Sequence, residues 1–93
     1  MEPDEETIIT VAQIVRDCEA MAQAALAGDF DEARFRAQLI IARADVAGHL
    51  DVVLAASYTA ERLGPIGTVP RDGYGAGILC VADGLDRIGC DAL

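Results

Sequence analysis

The chain has 93 residues, of which 53% are apolar and only 4% aromatic, and it carries a formal net charge of −9. That length holds one domain. No apolar run approaches the ~20 residues of a membrane span, no start resembles a secretion signal, and apolar content this high argues against disorder.

Sixteen acidic residues stand against seven basic ones, all of them Arg. Nucleic acid and anionic lipid both need a basic surface, so neither is expected as a direct partner. The three cysteines, Cys18, Cys80 and Cys90, read as reduced thiols of a cytoplasmic protein.

The first helix is expected over about 5–27. Asp4 is its N-cap, and Glu5 and Glu6 sit where carboxylates offset the helix dipole. Ile8, Val11, Val15, Cys18, Ala22 and Ala25 recur at three- and four-residue spacing, a heptad seam with Thr10, Gln13, Arg16, Asp17 and Gln23 opposite. Gly28 ends the helix as a C′ residue.

Asp29 restarts helix at once, with Glu32 three residues on completing a capping-box pattern. So short a turn predicts an αα-hairpin. The facing seam is Ala33, Ala37, Ile40, Ala44 and Ala47, whose small side chains permit close axes. No strong breaker follows before Gly64-Pro65, so the second helix is expected over 30–63, with Gly48 its one soft point.

This second helix carries another apolar stripe nearly opposite the alanine seam: Phe35, Leu39, Ala42, Val46, Leu50 and Val53. A turn-rich loop over 64–72 leads to a third helix, over about 73–88, with Ile78, Val81, Ala82, Leu85 and Ile88 inward. Four glycines (73, 75, 77 and 84) make it a poor helix in isolation. The expected fold class is therefore all-α: a long antiparallel helical hairpin plus a short third helix, a three-helix bundle completed by dimerisation.

The third helix is too short to cover the whole second stripe. Phe35, Leu39, Ala42, Val46 and Leu50 are accordingly expected to form an interface, most simply between two copies of the chain. The competing arrangement breaks the second helix at Gly48 and buries everything within one chain.

Chemistry-bearing residues are few. His49 is the single histidine, and no C-x-x-C or H-x₃-H pair accompanies it, so neither a metal nor a cofactor is expected. Histidine-phosphotransfer domains are similar in size, acidity and helical content, but their His is followed by a Lys-Gly step. Here Leu50 and Asp51 follow, so that function is not implied. Cys18 reads as a small core residue, Cys80 as a neighbour of the third helix's apolar face, and Cys90 as exposed. Ser57, the lone serine, has no His at helical spacing. The Gly73–Gly77 stretch lacks the strand, the third glycine and the lysine of a phosphate loop, and reads as a hinge or close-packing site.

Acidic residues gather at helix ends: Glu2, Asp4, Glu5 and Glu6 at one, Asp29, Asp31 and Glu32 at the hairpin tip. The expected function is a non-enzymatic protein-interaction module, an adaptor, inhibitor or regulator. One sharper alternative is an acidic antagonist of a basic nucleic-acid-binding protein, such as a phage anti-defence inhibitor. The other is a small-ligand-binding helical domain or enzyme lined by Tyr58, Arg62, Arg71 and Tyr74.

Overall fold

The computed structural model describes the backbone of residues 5–92 and the side chains of residues 5–88. The Asp4 cap, Glu2 and the Cys90 thiol lie outside the described residues. Four helices and no strand are present among them: α1 (Glu5–Leu26), α2 (Phe30–Ala47), α3 (Leu50–Leu63) and α4 (Tyr74–Ala92). The all-helical class is as the sequence implies, but the single helix expected over 30–63 is two.

The division falls at Gly48. Its φ of 78° is left-handed, its N–H bonds to the Ala44 and Asp45 carbonyls, and His49 N–H donates to Ala44 O at 2.9 Å. The same device closes α1, where Gly28, also at φ 78°, is followed by Asp29 N–H donating to Ala24 O at 2.8 Å. Glycine takes this conformation without the Cβ penalty other residues meet, and the paired bonds satisfy the last carbonyls of each helix. α3 therefore turns back along α2. Its start has no side-chain cap, since His49 makes no such bond.

Asp29 does cap α2, accepting from Glu32 N–H at 3.2 Å. The reciprocal half of the capping box is absent. Asp29 N–H is already bonded to Ala24, and the Glu32 carboxylate receives Arg36 Nε at 2.8 Å instead.

The helices run up, down, up and down. Arg34 near the start of α2 meets the end of α3, Phe30 packs edge-on to Tyr74 with centroids 5.7 Å apart, and Gly84 of α4 lies against Val52 of α3. The result is a rod of 45 × 20 × 17 Å whose core is one cluster of buried side chains from all four helices.

Ala33, Ala37, Ile40 and Ala44 of the predicted α2 seam are fully buried, whereas Ala47 is exposed beside the turn. On α1 the seam is rotated from the expected one. Ile14, Asp17, Cys18, Met21 and Ala24 are buried; Ile8 and Val15 are exposed, and Ala22 and Ala25 turn toward α4. The predicted heptad positions mark the flank facing α4, where the two helices touch least. Asp17, assigned by spacing to the outer face, is in the core.

On α4, Ile78, Val81 and Leu85 are buried as the pattern requires. Its glycines divide by role. A Cβ on Gly77 would overlap Thr59 Oγ1 and come within 3.1 Å of Thr59 Cα, so Gly77 sets the α3–α4 distance; a Cβ on Gly75 meets nothing within 4 Å. Gly77→Ala is expected to lower stability by about 1–3 kcal/mol through overpacking. Gly75→Ala should raise it by about 0.5 kcal/mol through helix propensity. Thermal unfolding of the two variants checks the opposite signs; a stabilised Gly77→Ala would show that the helices can move apart freely.

Candidate interaction surface

The face of α2 diametrically opposite its buried alanines is apolar and open. Phe35 is 54% and Val46 91% exposed, Ala42 is exposed, and Leu39 is half-buried. Four of the five expected interface residues thus share one helical face. The fifth, Leu50, is also exposed, but it opens α3 beyond the Gly48 turn and extends the surface around the elbow instead of continuing the stripe. The turn at Gly48 does not bury this face, because α3 packs on the flank of α2 that carries Arg34 and Ile41.

Clefts border the stripe at both ends. At the hairpin-tip end a cavity of about 380 Å³ is lined by Phe35, Gln38, Ala60, Pro65 and Ile66, with the Asp31–Arg34 pair at its base. Toward the elbow, cavities of about 280 and 150 Å³ share Thr10 and Val46 and form one groove between α1 and α2. A further apolar cleft of about 290 Å³ separates α1 from α4, lined by Ala22, Leu26, Tyr74, Ile78 and Leu79.

Two arginine centres fix these surfaces, and neither was evident from spacing. Arg34 is 8% exposed. Its Nη2 donates to Leu63 O at 2.8 Å and Thr68 O at 2.6 Å, its Nε to Gly64 O at 3.0 Å, and its Nη1 to Asp31 at 2.6 Å. One guanidinium thereby closes the C-terminus of α3, where the dipole favours a cation, and pins the 64–72 loop. That loop is held further by Arg71 N–H on Arg62 O at 2.7 Å, and it presents Ile66 and Val69 to solvent.

The second centre is Asp17, 2% exposed, whose carboxylate accepts from Arg36 Nη1 at 3.1 Å and from Arg43. Burial of this carboxylate is tolerable because two guanidinium groups replace its water. Arg36 also lies 5.7 Å from the Phe35 ring centroid, and its ionisation is held above the ordinary arginine range by Glu32 first and Asp17 second.

The expected acidic surface separates into two groups. Asp29 is a cap, Asp31 pairs with Arg34, and Glu32 pairs with Arg36, so the hairpin-tip acids serve the fold. Glu5 and Glu6 enter no ion pair among the described residues.

Of the candidate ligand-site residues, Tyr58, Arg62 and Arg71 come together, with both arginines on Glu61 at 3.3 and 3.1 Å, whereas Tyr74 turns away. Arg62 stacks on Tyr58 at 5.2 Å, and Tyr74 turns to Phe30 and the α1–α4 cleft. The Cys18 thiol is buried in the core and pushed up from its ordinary range by that burial and by Glu19 and Asp86, while Cys80 is exposed. Among the described residues no three His, Cys, Asp or Glu side chains gather as a metal site would need, and no helix is long and apolar enough to cross a membrane. No family model matches the chain, and comparisons with curated proteins and with solved structures return no match.

Proposed function

We propose that the protein is a non-enzymatic interaction module that docks another protein on the outward face of α2. The observation that carries this reading is the exposure of Phe35, Ala42 and Val46 on a helix whose opposite face is fully buried. The core is complete without these side chains, so the fold gives no reason for three apolar positions in helical register to face water. The Asp17–Arg36–Glu32 and Arg34 networks lock α2 against both neighbours, and a rigid surface loses little entropy on docking. Self-association is the other use of the same face: an antiparallel second copy would set Phe35 against Val46 and Leu39 against Ala42, large against small.

Phe35→Asp and Val46→Asp test the reading. Both replace solvent-exposed side chains, so melting temperatures should stay close to wild type, within the roughly 0.5 kcal/mol usual for surface changes. Light scattering reads self-association, and affinity capture from the native cell reads other partners. Loss of a dimer, or of one dominant captured protein, in both variants is the expected result. A wild-type monomer whose captured set is unchanged by either substitution would overturn it.

A further inference from the structure

We infer that the occupant of this face is a cationic amphipathic helix of another protein, seated at the elbow end of α2. The inference rests on the docking role proposed for that face and names the chemistry of the partner.

The first observation is where the chain's own cations are used. Arg34, Arg36, Arg43, Arg62, Arg71 and Arg87 each lie within 4.0 Å of a carboxylate of the same chain. Among the described residues Arg16 is the exception. Glu5, Glu6, Glu19, Asp45, Asp51, Asp72 and Asp86 enter no such pair. The net negative charge is thus carried by a surface whose described cations, Arg16 apart, are already paired.

The second observation is where those free carboxylates fall. In an up-down-up-down bundle the start of α1, the end of α2, the start of α3 and the end of α4 share one pole. Glu5, Glu6, Asp45 and Asp51 are all at that pole, with Asp86 on the α4 segment approaching it. At the hairpin-tip pole, by contrast, Asp31, Glu32 and Glu61 are paired with arginines and Asp29 caps α2, which leaves Asp72 as the carboxylate there with neither role.

The third observation is a groove at the acidic pole, with a polar wall from α1 and an apolar floor at Ala42 and Val46. Glu6, Thr10 and Gln13 of α1 face Ala42 and Val46 of α2 across it, and His49 closes its end. Ile9, 52% exposed, is three residues after Glu6 and four before Gln13, on the same flank of α1. Arg43 lines the groove, but its guanidinium is held by the buried Asp17. Val46 and Ile9 therefore offer apolar anchors rimmed by Glu6 and by Glu5, one helical turn before Ile9.

Apolar anchors with an acidic rim fit a helix with leucine-like residues on one side and lysine or arginine beside them. A second copy of the chain, itself at a net charge of −9, would be repelled from this pole, as would an anionic membrane. Charge complementarity selects the cationic partner.

The test titrates the isotope-labelled protein with three peptides of about 18 residues, long enough to form helix. One has Leu at helical spacing and Lys elsewhere; one has Glu in place of every Lys; one is the Lys-Leu composition scrambled to remove the apolar face. The first should shift amides over residues 6–13 and 42–50 and bind at least about tenfold more tightly than the other two, since one buried aliphatic anchor is worth that factor. Ile9→Ser and Val46→Ser should each weaken it by about tenfold. Glu5→Gln with Glu6→Gln should weaken it and flatten its loss between about 50 and about 300 mM salt.

Equal binding of the Glu peptide on the same residues would keep the docking face and overturn the cationic class. Equal binding of the scrambled peptide would reduce the effect to bulk charge and also overturn the inference. Shifts confined to the α1–α4 cleft, or none with any peptide, would overturn the inference, whereas the docking role of α2 stands or falls on the Phe35→Asp and Val46→Asp variants.

Discussion

Arg34→Met is expected to unfold the protein more readily than any other single substitution of a polar residue, with a loss of about 3–5 kcal/mol. The methionine keeps the length and most of the apolar stem. It removes every donor from the Leu63, Gly64 and Thr68 carbonyls, and Leu63 is fully buried. For a domain this size each kcal/mol is worth about 4–8 °C, so the melting temperature should fall by at least about 12 °C. Arg34→Lys retains the charge, but one ammonium cannot reproduce a planar fork that reaches three carbonyls and Asp31, and about half the loss is expected. Amide exchange at Arg71, whose N–H is bonded to Arg62 O, should accelerate in both variants as the loop comes free. A methionine variant melting within about 2 °C of wild type would show that the guanidinium merely rests in the loop.

Asp17→Ala is expected to cost about 3 kcal/mol, for a different reason. The carboxylate is in the core, and its removal leaves Arg36 and Arg43 without the acceptor that lets them lie across the α1–α2 seam. The loss stays moderate because both arginines are about one-third exposed and can turn to water. Asp17→Asn, which keeps shape and one acceptor but no charge, should lose about 2 kcal/mol. Denaturant titration at low and high salt separates this pair from surface ion pairs: a buried carboxylate is poorly screened, so the deficit should be the same in both. A deficit that vanishes in high salt would place the interaction at the surface.

How much of this was legible depended on what each residue's partner was. The Gly28-Asp29 turn carried both a C′ glycine and a capping side chain, and the hairpin follows from the chain alone. Gly48 carried only the glycine. His49 caps nothing, so the start of α3 left no side-chain signal and a continuous helix was the natural expectation. The alanine face of α2 was readable because its register is strict. The α1 register was not, because two apolar faces overlap there: one meets α2, the other lies toward α4.

Asp17 was hidden for a related reason, since a carboxylate reads as solvent-facing unless its cations are known to arrive. Aligning the hairpin about Gly28 does bring Asp17 level with residues 40–41, between Arg36 and Arg43, and that alignment was the available clue. Arg34 offered none beyond its spacing from Asp31, because its other partners are backbone carbonyls some thirty residues away. The outward stripe was visible in sequence because exposure there needs no partner to explain it.

The two glycine turns have a kinetic consequence. Only three residues join α1 to α2 at Gly28 and only two join α2 to α3 at Gly48, so most of the pairings that build the rod join neighbours along the chain. Such low sequence separation makes loop closure inexpensive, and helical chains of this kind fold on the order of microseconds to milliseconds. The one pairing between distant segments, α1 with α4, is also the loosest, so the rod can assemble by successive hairpins before its ends close.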